Sequence, residues 1–276
     1  MSPDVFSRGV GSMSNARKQN EIAFHDRLFG AKDDPRNAIA KYYRVSDVTH
    51  SLYRELVADH CPGRRLLEYG CGTGDDSLFW AQSGARVTGI DLSSEAIKKA
   101  RENARREGAN IAYHVMDAEN LRFEDGSFDV VVGNGILHHL NPDTSLRELS
   151  RILRRNGHAI FIEPMGHNAL INLYRRRTPS LRTEDEHPLR MEDLQLARRY
   201  FHDVDATFFN LFTLLAVPFR DLAGFNVLVN LLNVIDRMVF QICPFTKKYA
   251  WMVVLHASKP NKTSHKPVRH GLPVAE

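Results

Sequence analysis

The segment from Leu66 to Leu92 limits what this chain can fold into more than any other. Two apolar residues, Leu66 and Leu67, lead into three alternate glycines, Gly70, Gly72 and Gly74. A helix-forming stretch follows, then Gly84, then a second apolar run that ends on Asp91. A glycine turn lets a ligand come close to backbone N–H groups, because no Cβ stands in the way. An acid at the tip of the second strand stands where a ribose hydroxyl would be held. The pattern predicts a nucleoside-cofactor site.

The spacing argues against a dinucleotide. A dinucleotide turn reads G-x-G-x-x-G, with the pyrophosphate on the helix N-terminus. Here the third glycine comes one residue early, and Asp75 and Asp76 open the helix. Those carboxylates suit the helix dipole but repel a pyrophosphate, and Glu68 adds negative charge at the strand tip. A nucleoside without phosphates, carrying a sulfonium and an ammonium, fits these conditions, and S-adenosylmethionine is such a molecule.

Further motifs follow in order: Met116-Asp117-Ala118, then Phe128 to Leu140, then Leu153 to Ile162. With Glu68 to Gly74 and Asp91 they resemble the class I S-adenosylmethionine-dependent methyltransferases over roughly residues 60 to 165. The resemblance implies an α/β fold with a seven-stranded, mostly parallel, doubly wound sheet whose last strand is antiparallel. Helical additions at the N-terminus and between the sixth and seventh strands would shape the substrate pocket. It also implies a cofactor site. Gly70, Cys71, Gly72 and Gly74 would pass under the methionine part, with Glu68 beside them. Asp91 would accept from the ribose and Asp117 from the adenine amine, between Leu92 and Ala118.

Asn134, His138 and His139 follow the fourth strand, and ligands of open parallel sheets bind beyond strand C-termini. An imidazole has the intrinsic pKa of a base near neutrality, which makes His139 and His138 catalytic candidates. A histidine here also serves to tie down the following loop, and both roles stay open. No carboxylate or third histidine sits at a metal-ligand spacing from them, so no metal is expected. The expected substrate-pocket residues are Tyr42 and Tyr43 from an N-terminal lid, Glu163 at the end of the fifth strand, and His187 in a loop. Capping, packing or solvation is the alternative for each.

Alternating strand and helix signals place strands near 65–69, 85–90, 110–115, 128–133, 158–163, 203–211 and 250–258. Asn141-Pro142 reads as a cap with proline at the first helical position, and Gly157 reads as a left-handed terminator of that helix. Residues 1–60 are expected to be a loose tail, to about residue 18, and a helical lid. The methyltransferase domain is expected over 61–259, and a basic flexible tail over 260–276.

The net charge of +4 over 276 residues is too mild to imply nucleic acid. The residues after the fourth strand also lack the proline-aromatic signature of enzymes that methylate nucleic-acid amines. Three cysteines without metal spacing, and no apolar run after a basic start, fit a reducing cytoplasm. Residues 211–245 are unusually apolar. Their uncharged stretches, 206–219 and 222–235, fall short of the ~18 residues that span a bilayer, and Asn226, Asn230, Asn233 and Arg237 recur at helical spacing. This segment reads either as a helix packed on the sheet or against a second subunit, or as a lid or membrane-surface helix for a greasy substrate. The latter would place the protein peripherally at the inner membrane surface. The expected activity is methyl transfer to a small-molecule acceptor, hydrophobic or lipid-linked. The alternatives are an NAD(P)-dependent oxidoreductase or epimerase, which Asp75 and Asp76 disfavour, and a non-catalytic interaction module.

Overall fold

The structure is a computed structural model that describes residues 15–30, 41–179, 183 and 186–262. Its centre is one sheet of β1 (Arg65–Tyr69), β2 (Arg86–Asp91), β3 (Ala112–Val115), β4 (Phe128–Asn134), β5 (Leu153–Pro164), β6 (Phe201–Phe209) and β7 (Met252–Pro260). The strand order is β3-β2-β1-β4-β5-β7-β6. Only β7 runs against its neighbours, β5 and β6, so the expected topology holds. The chain leaves β1 towards β2 on one side and returns to place β4 on the other. That reversal opens a crevice at the C-terminal ends of β1 and β4.

Pleating sends alternate side chains to opposite faces. Leu66, Val130, Val132 and Ile160 join Tyr53, Val57 and Trp80 on one face. Leu67, Tyr69, Val131 and Phe161 join the other, under helices α5 (Pro142–Ile152) and α7 (Met191–Tyr200). Helix α2 (Asp47–Ala58) is therefore a core helix, its Tyr53 and Val57 fully buried. Of the described residues of the expected N-terminal cover, α1 (Asn15–Gly30) alone lines the crevice. It starts within the stretch read as a loose tail; residues 1–14, and 263–276 of the basic tail, lie outside the described residues.

Asn141 caps α5 through a bond from Thr144 N–H, with Pro142 in the first turn. Gly157 does not terminate that helix. The helix stops at Ile152 and the chain is already extended from Leu153, and Gly157 is not among the glycines with positive φ. The residue is needed for close packing instead, since a Cβ there would lie 2.9 Å from Leu153 Cδ2 and 3.1 Å from the Asp129 carbonyl oxygen.

Between β6 and β7 the apolar segment forms a 3-10 stretch, Thr213–Phe219, and then α8 (Phe225–Ile242). At 18 residues, α8 is long and apolar enough to cross a membrane by length and composition, so the sequence arithmetic that broke it at Asp236 does not hold. Asp236 is buried rather than solvated. Its carboxylate accepts from Leu211 N–H at 3.0 Å, Phe212 N–H at 2.7 Å, Thr213 N–H at 3.3 Å and the Thr213 hydroxyl at 2.7 Å. This anchor turns Asn233 inward with Phe225, Val229 and Phe240. Val227, Leu231, Val234, Met238 and Ile242 are left on the exposed face, Val227 at 73% and Ile242 at 76% exposure. Of the polar stripe, Asn233 is buried, whereas Asn226, Asn230 and Arg237 are exposed.

Candidate functional site

The glycine turn leaves β1 with φ of 69° at Gly70 and enters α3 (Asp75–Gln82) with φ of 82° at Gly74. Any side chain at Gly70 would strike Ile136, 2.9 Å away, and at Gly74 the Tyr113 hydroxyl, 2.5 Å away. Gly74 does not line the crevice as the sequence reading had it; it faces Tyr113 and Ala100 behind the turn. Asp91 is held from two sides. Gly72 N–H and Ser93 N–H each donate to its carboxylate at 2.9 Å. The helix cap is Ser93, which accepts from Ala96 N–H, so Asp91 is not needed for capping. Burial raises the Asp91 pKa, against those backbone bonds.

The crevice of about 380 Å³ brings together Glu68, Gly70, Cys71, Gly72, Asp91, Leu92, Asp117, Ala118, Asn134 and His139. Burial raises Glu68 well above the usual carboxylate range, and Asp76, Asp91 and Asp75 reinforce it; the Ser77 hydroxyl donates to it and opposes the shift. Burial likewise pushes the Cys71 thiol well up, so it is no nucleophile. Carboxylates crowded at a glycine turn disfavour a second anion and favour a cation. A nucleoside with a sulfonium and an ammonium therefore fits this donor set, with Asp91 and Asp117 as its polar anchors.

Helix α1 supplies crevice residues that the sequence reading missed: Lys18, Glu21, His25 and Phe29. Their spacing of three and four residues marks one helix face, but that face is too polar to register as a hydrophobic period. Lys18 pairs with Asp117 and lies 3.8 Å from Glu119. Asp26 accepts from the Ser93 hydroxyl. Glu21 accepts from the Thr183 hydroxyl at 2.6 Å and lies 3.4 Å from His139 Nδ1. Burial raises and these bonds lower the Glu21 pKa, and the net result is a strongly lowered value. Burial works against a charged His139, yet Glu21 and Glu186 outweigh it and raise its pKa.

A second cavity of about 600 Å³ adjoins the first, lined by Tyr43, Leu170, Tyr174, Leu214 and Trp251 among others. Asn134 and Gly135 belong to both walls. Helix α6 (Ala169–Arg177) and the 3-10 stretch 213–219 form much of this wall; the stretch lies within the apolar segment read as a packed helix or a lid, though neither element was among the expected pocket residues. Tyr43 lies against Trp251 with ring centroids 5.2 Å apart. The Tyr42 side chain lies outside the described residues. The adjacent histidines part company here, His138 facing the second cavity and His139 the first.

Two pocket expectations need correction. Glu163 is fully buried and touches neither cavity. It accepts from Ile136 N–H at 2.8 Å, Leu137 N–H at 2.7 Å and His138 Nδ1 at 2.7 Å, which fixes the segment after β4. His187 is exposed and contributes its backbone N–H to the His138 carbonyl, at 3.0 Å. The ground for expecting no metal also changes. Glu21 and Glu186, distant in sequence, bring carboxylates to the histidines in two groups, Glu21/His25/His139 and His138/His139/Glu186.

A family profile for the methyltransferase domain matches residues 67–161. Methyltransferase GfsG of Streptomyces halstedii is 31% identical over 160 residues, which is 56% of this chain and 57% of that protein. The ubiquinone biosynthesis O-methyltransferase of Alkalilimnicola ehrlichii is 37% identical over 144 residues, 51% of this chain and 58% of that protein. The chain thus spans a little under three fifths of these relatives' length. Among solved structures, phosphoethanolamine N-methyltransferase 2 of Haemonchus contortus with S-adenosylmethionine gives a TM-score of 0.59 at 18% identity, over 86% of this chain and 60% of that one. Geranyl diphosphate C-methyltransferase of Streptomyces coelicolor gives 0.60 at 12% identity, over 90% and 100%. At such identities these two speak for the fold alone. Taken with the ordered motifs and the strand order, the match shows a methyltransferase domain over residues 67–161 that is similar to those of the class I S-adenosylmethionine-dependent methyltransferases.

Proposed function

We propose that this protein methylates a hydroxyl oxygen of a small, largely apolar acceptor held in the second cavity. The observation that carries the reading is the shared wall. Asn134 and Gly135 border both the acidic crevice and the apolar cavity, so a donor in one meets an acceptor in the other. The cofactor, when bound, supplies a methyl group already activated by positive sulfur. The chain must then hold the acceptor in line and keep water out, and positioning of this kind supplies up to about 7–11 kcal/mol in favourable cases. Tyr43, Leu170, Leu214 and Trp251 give the acceptor an apolar bed.

His138 is the proposed base. It donates through Nδ1 to the Glu163 carboxylate, which leaves the Nε2 lone pair for the acceptor hydroxyl. Burial lowers its pKa, the His139 charge adds to this and Glu163 opposes it, so it is neutral and able to take a proton near neutrality. His139, paired with Glu21, holds the lid rather than the acceptor proton. Residues 61–259 form the catalytic body in this reading, and α1 closes the donor side. The O-methyltransferase relative supports an oxygen acceptor.

The exposed face of α8, with Arg237 on it and Lys247 and Lys248 following it, suits an anionic membrane surface as the source of that acceptor. The reading is tested with labelled donor and a panel of apolar phenols, alcohols and polar amines. Label on an apolar hydroxyl supports it. Label on amines alone, or on no acceptor, overturns it.

A further inference from the structure

Far from both cavities, three histidines meet on the sheet face that carries α2. His158 on β5 and His256 on β7 are diagonal neighbours on one face, since Ile160 pairs with His256 and His158 with Ser258 in the antiparallel ladder. His60, just past the end of α2, completes the group. Its ring centroid lies 4.1 Å from that of His158 and 5.6 Å from that of His256. His158 Nδ1 and His256 Nε2 stand 3.0 Å apart. One nitrogen from each ring lies within 4.8 Å of the other two, and all three residues are half-buried.

We propose that His60, His158 and His256 form a binding site for a divalent transition-metal ion, of the zinc, cobalt or nickel type. Three imidazoles are a donor set that suits these ions and not magnesium or calcium. Neighbouring nitrogens around a tetrahedral ion with bonds of about 2.0–2.1 Å stand a little over 3 Å apart, a spacing the His158–His256 pair already has. His60 is oriented as a ligand would be. The Leu56 carbonyl, 2.7 Å from its Nδ1, can only accept, so that nitrogen carries the proton and Nε2 keeps its lone pair. Half-burial leaves an entry path and room for water as a fourth ligand. Asp205 stands directly opposite His256 on β6, so it shares that face and offers a carboxylate at the rim.

The site is structural rather than catalytic. His158 pairs with Val130, and Asn134 at the crevice pairs with Ile162, four residues further along β5, about 13 Å away at the rise of a strand. An ion there would tie the end of α2 to β5 and β7 and stabilise the folded chain by mass action.

The test uses the untagged full chain, stripped with a chelator and titrated with Co²⁺ and Zn²⁺ by calorimetry, visible absorption and thermal melting. One ion per chain and a raised Tm are expected, with binding weakened at least a hundredfold in His158→Ala and in His256→Ala. Circular dichroism and donor binding check that these variants fold. His139→Ala, which removes the histidine common to both groups beside the crevice, should keep the ion. Absence of binding, unchanged binding in His158→Ala, or loss in His139→Ala would each overturn the assignment.

Discussion

Asp91 and His138 show how little freedom the reacting region allows a side chain. Both Asp91 oxygens are engaged by the turn and by the start of α4 (Ser94–Arg106), so Asp91→Ala should loosen the turn as well as remove a ribose acceptor. Donor affinity measured by calorimetry should fall at least tenfold, the minimum for losing a charge-assisted hydrogen bond of about 1.5–3 kcal/mol. His138→Gln should lower kcat by about 10²–10⁴-fold, the usual range for a lost general base, with donor affinity unchanged. His139→Gln should leave kcat far less affected. The pH profile separates positioning from catalysis. His138 titrates below its ordinary value of 6.5, so activity should be level through neutrality and fall only on the acid side. Glu163 raises that pKa, so Glu163→Gln should move the acid limb to lower pH while reducing kcat. Asp91 and His138 stood out in the sequence as candidates because each lies at or just past a strand end, a position that local pattern records. Glu163 was visible only as an acid near the site. Its three inward bonds depend on how the chain after β4 folds back, which no local pattern records.

At the level of elements, α1 is the part most sensitive to conditions. Its hold on the body includes ion pairs at Lys18 and Glu21 and hydrogen bonds from Ser93 to Asp26 and from Arg17 to the His139 carbonyl. The Glu21–His139 pair sets a pH window. His139 has a folded pKa above 6.5, so its contribution is fully present below that value and is lost as pH rises through the folded pKa. Glu21 has a lowered pKa, so its share is lost only in acid, well below 4.5. Amide exchange in α1, corrected for its intrinsic pH dependence, should therefore be less protected at about pH 9 than at about pH 6, with the sheet unchanged; equal protection would refute the latch. The Asn141-Pro142 cap located the start of α5, because that helix carries its cap in the local sequence. Periodicity does not predict that α8 buries Asn233 and Asp236. Hydrophobic spacing ranks faces by polarity, whereas a buried carboxylate with four hydrogen bonds decided the matter here.

For the molecule as a whole, the exposed row on α8 predicts behaviour at a surface. Leu231→Glu with Met238→Glu should abolish co-sedimentation with anionic vesicles while moving Tm little, because both side chains are over half exposed. If the wild-type chain ignores vesicles and instead forms a dimer that the double variant disrupts, the apolar row serves self-association. The core-facing side gives the contrast: Trp80→Ala, fully buried against Tyr53, should cost about 3–5 kcal/mol and be read as a lower Tm.

The partition formed by Asn134 and Gly135 carries a thermodynamic obligation. A molecule seated on one side of it restrains the backbone that the other side must contact, so the two affinities are linked. Whatever factor an acceptor analogue adds to donor affinity, the donor must return to the analogue in equal measure.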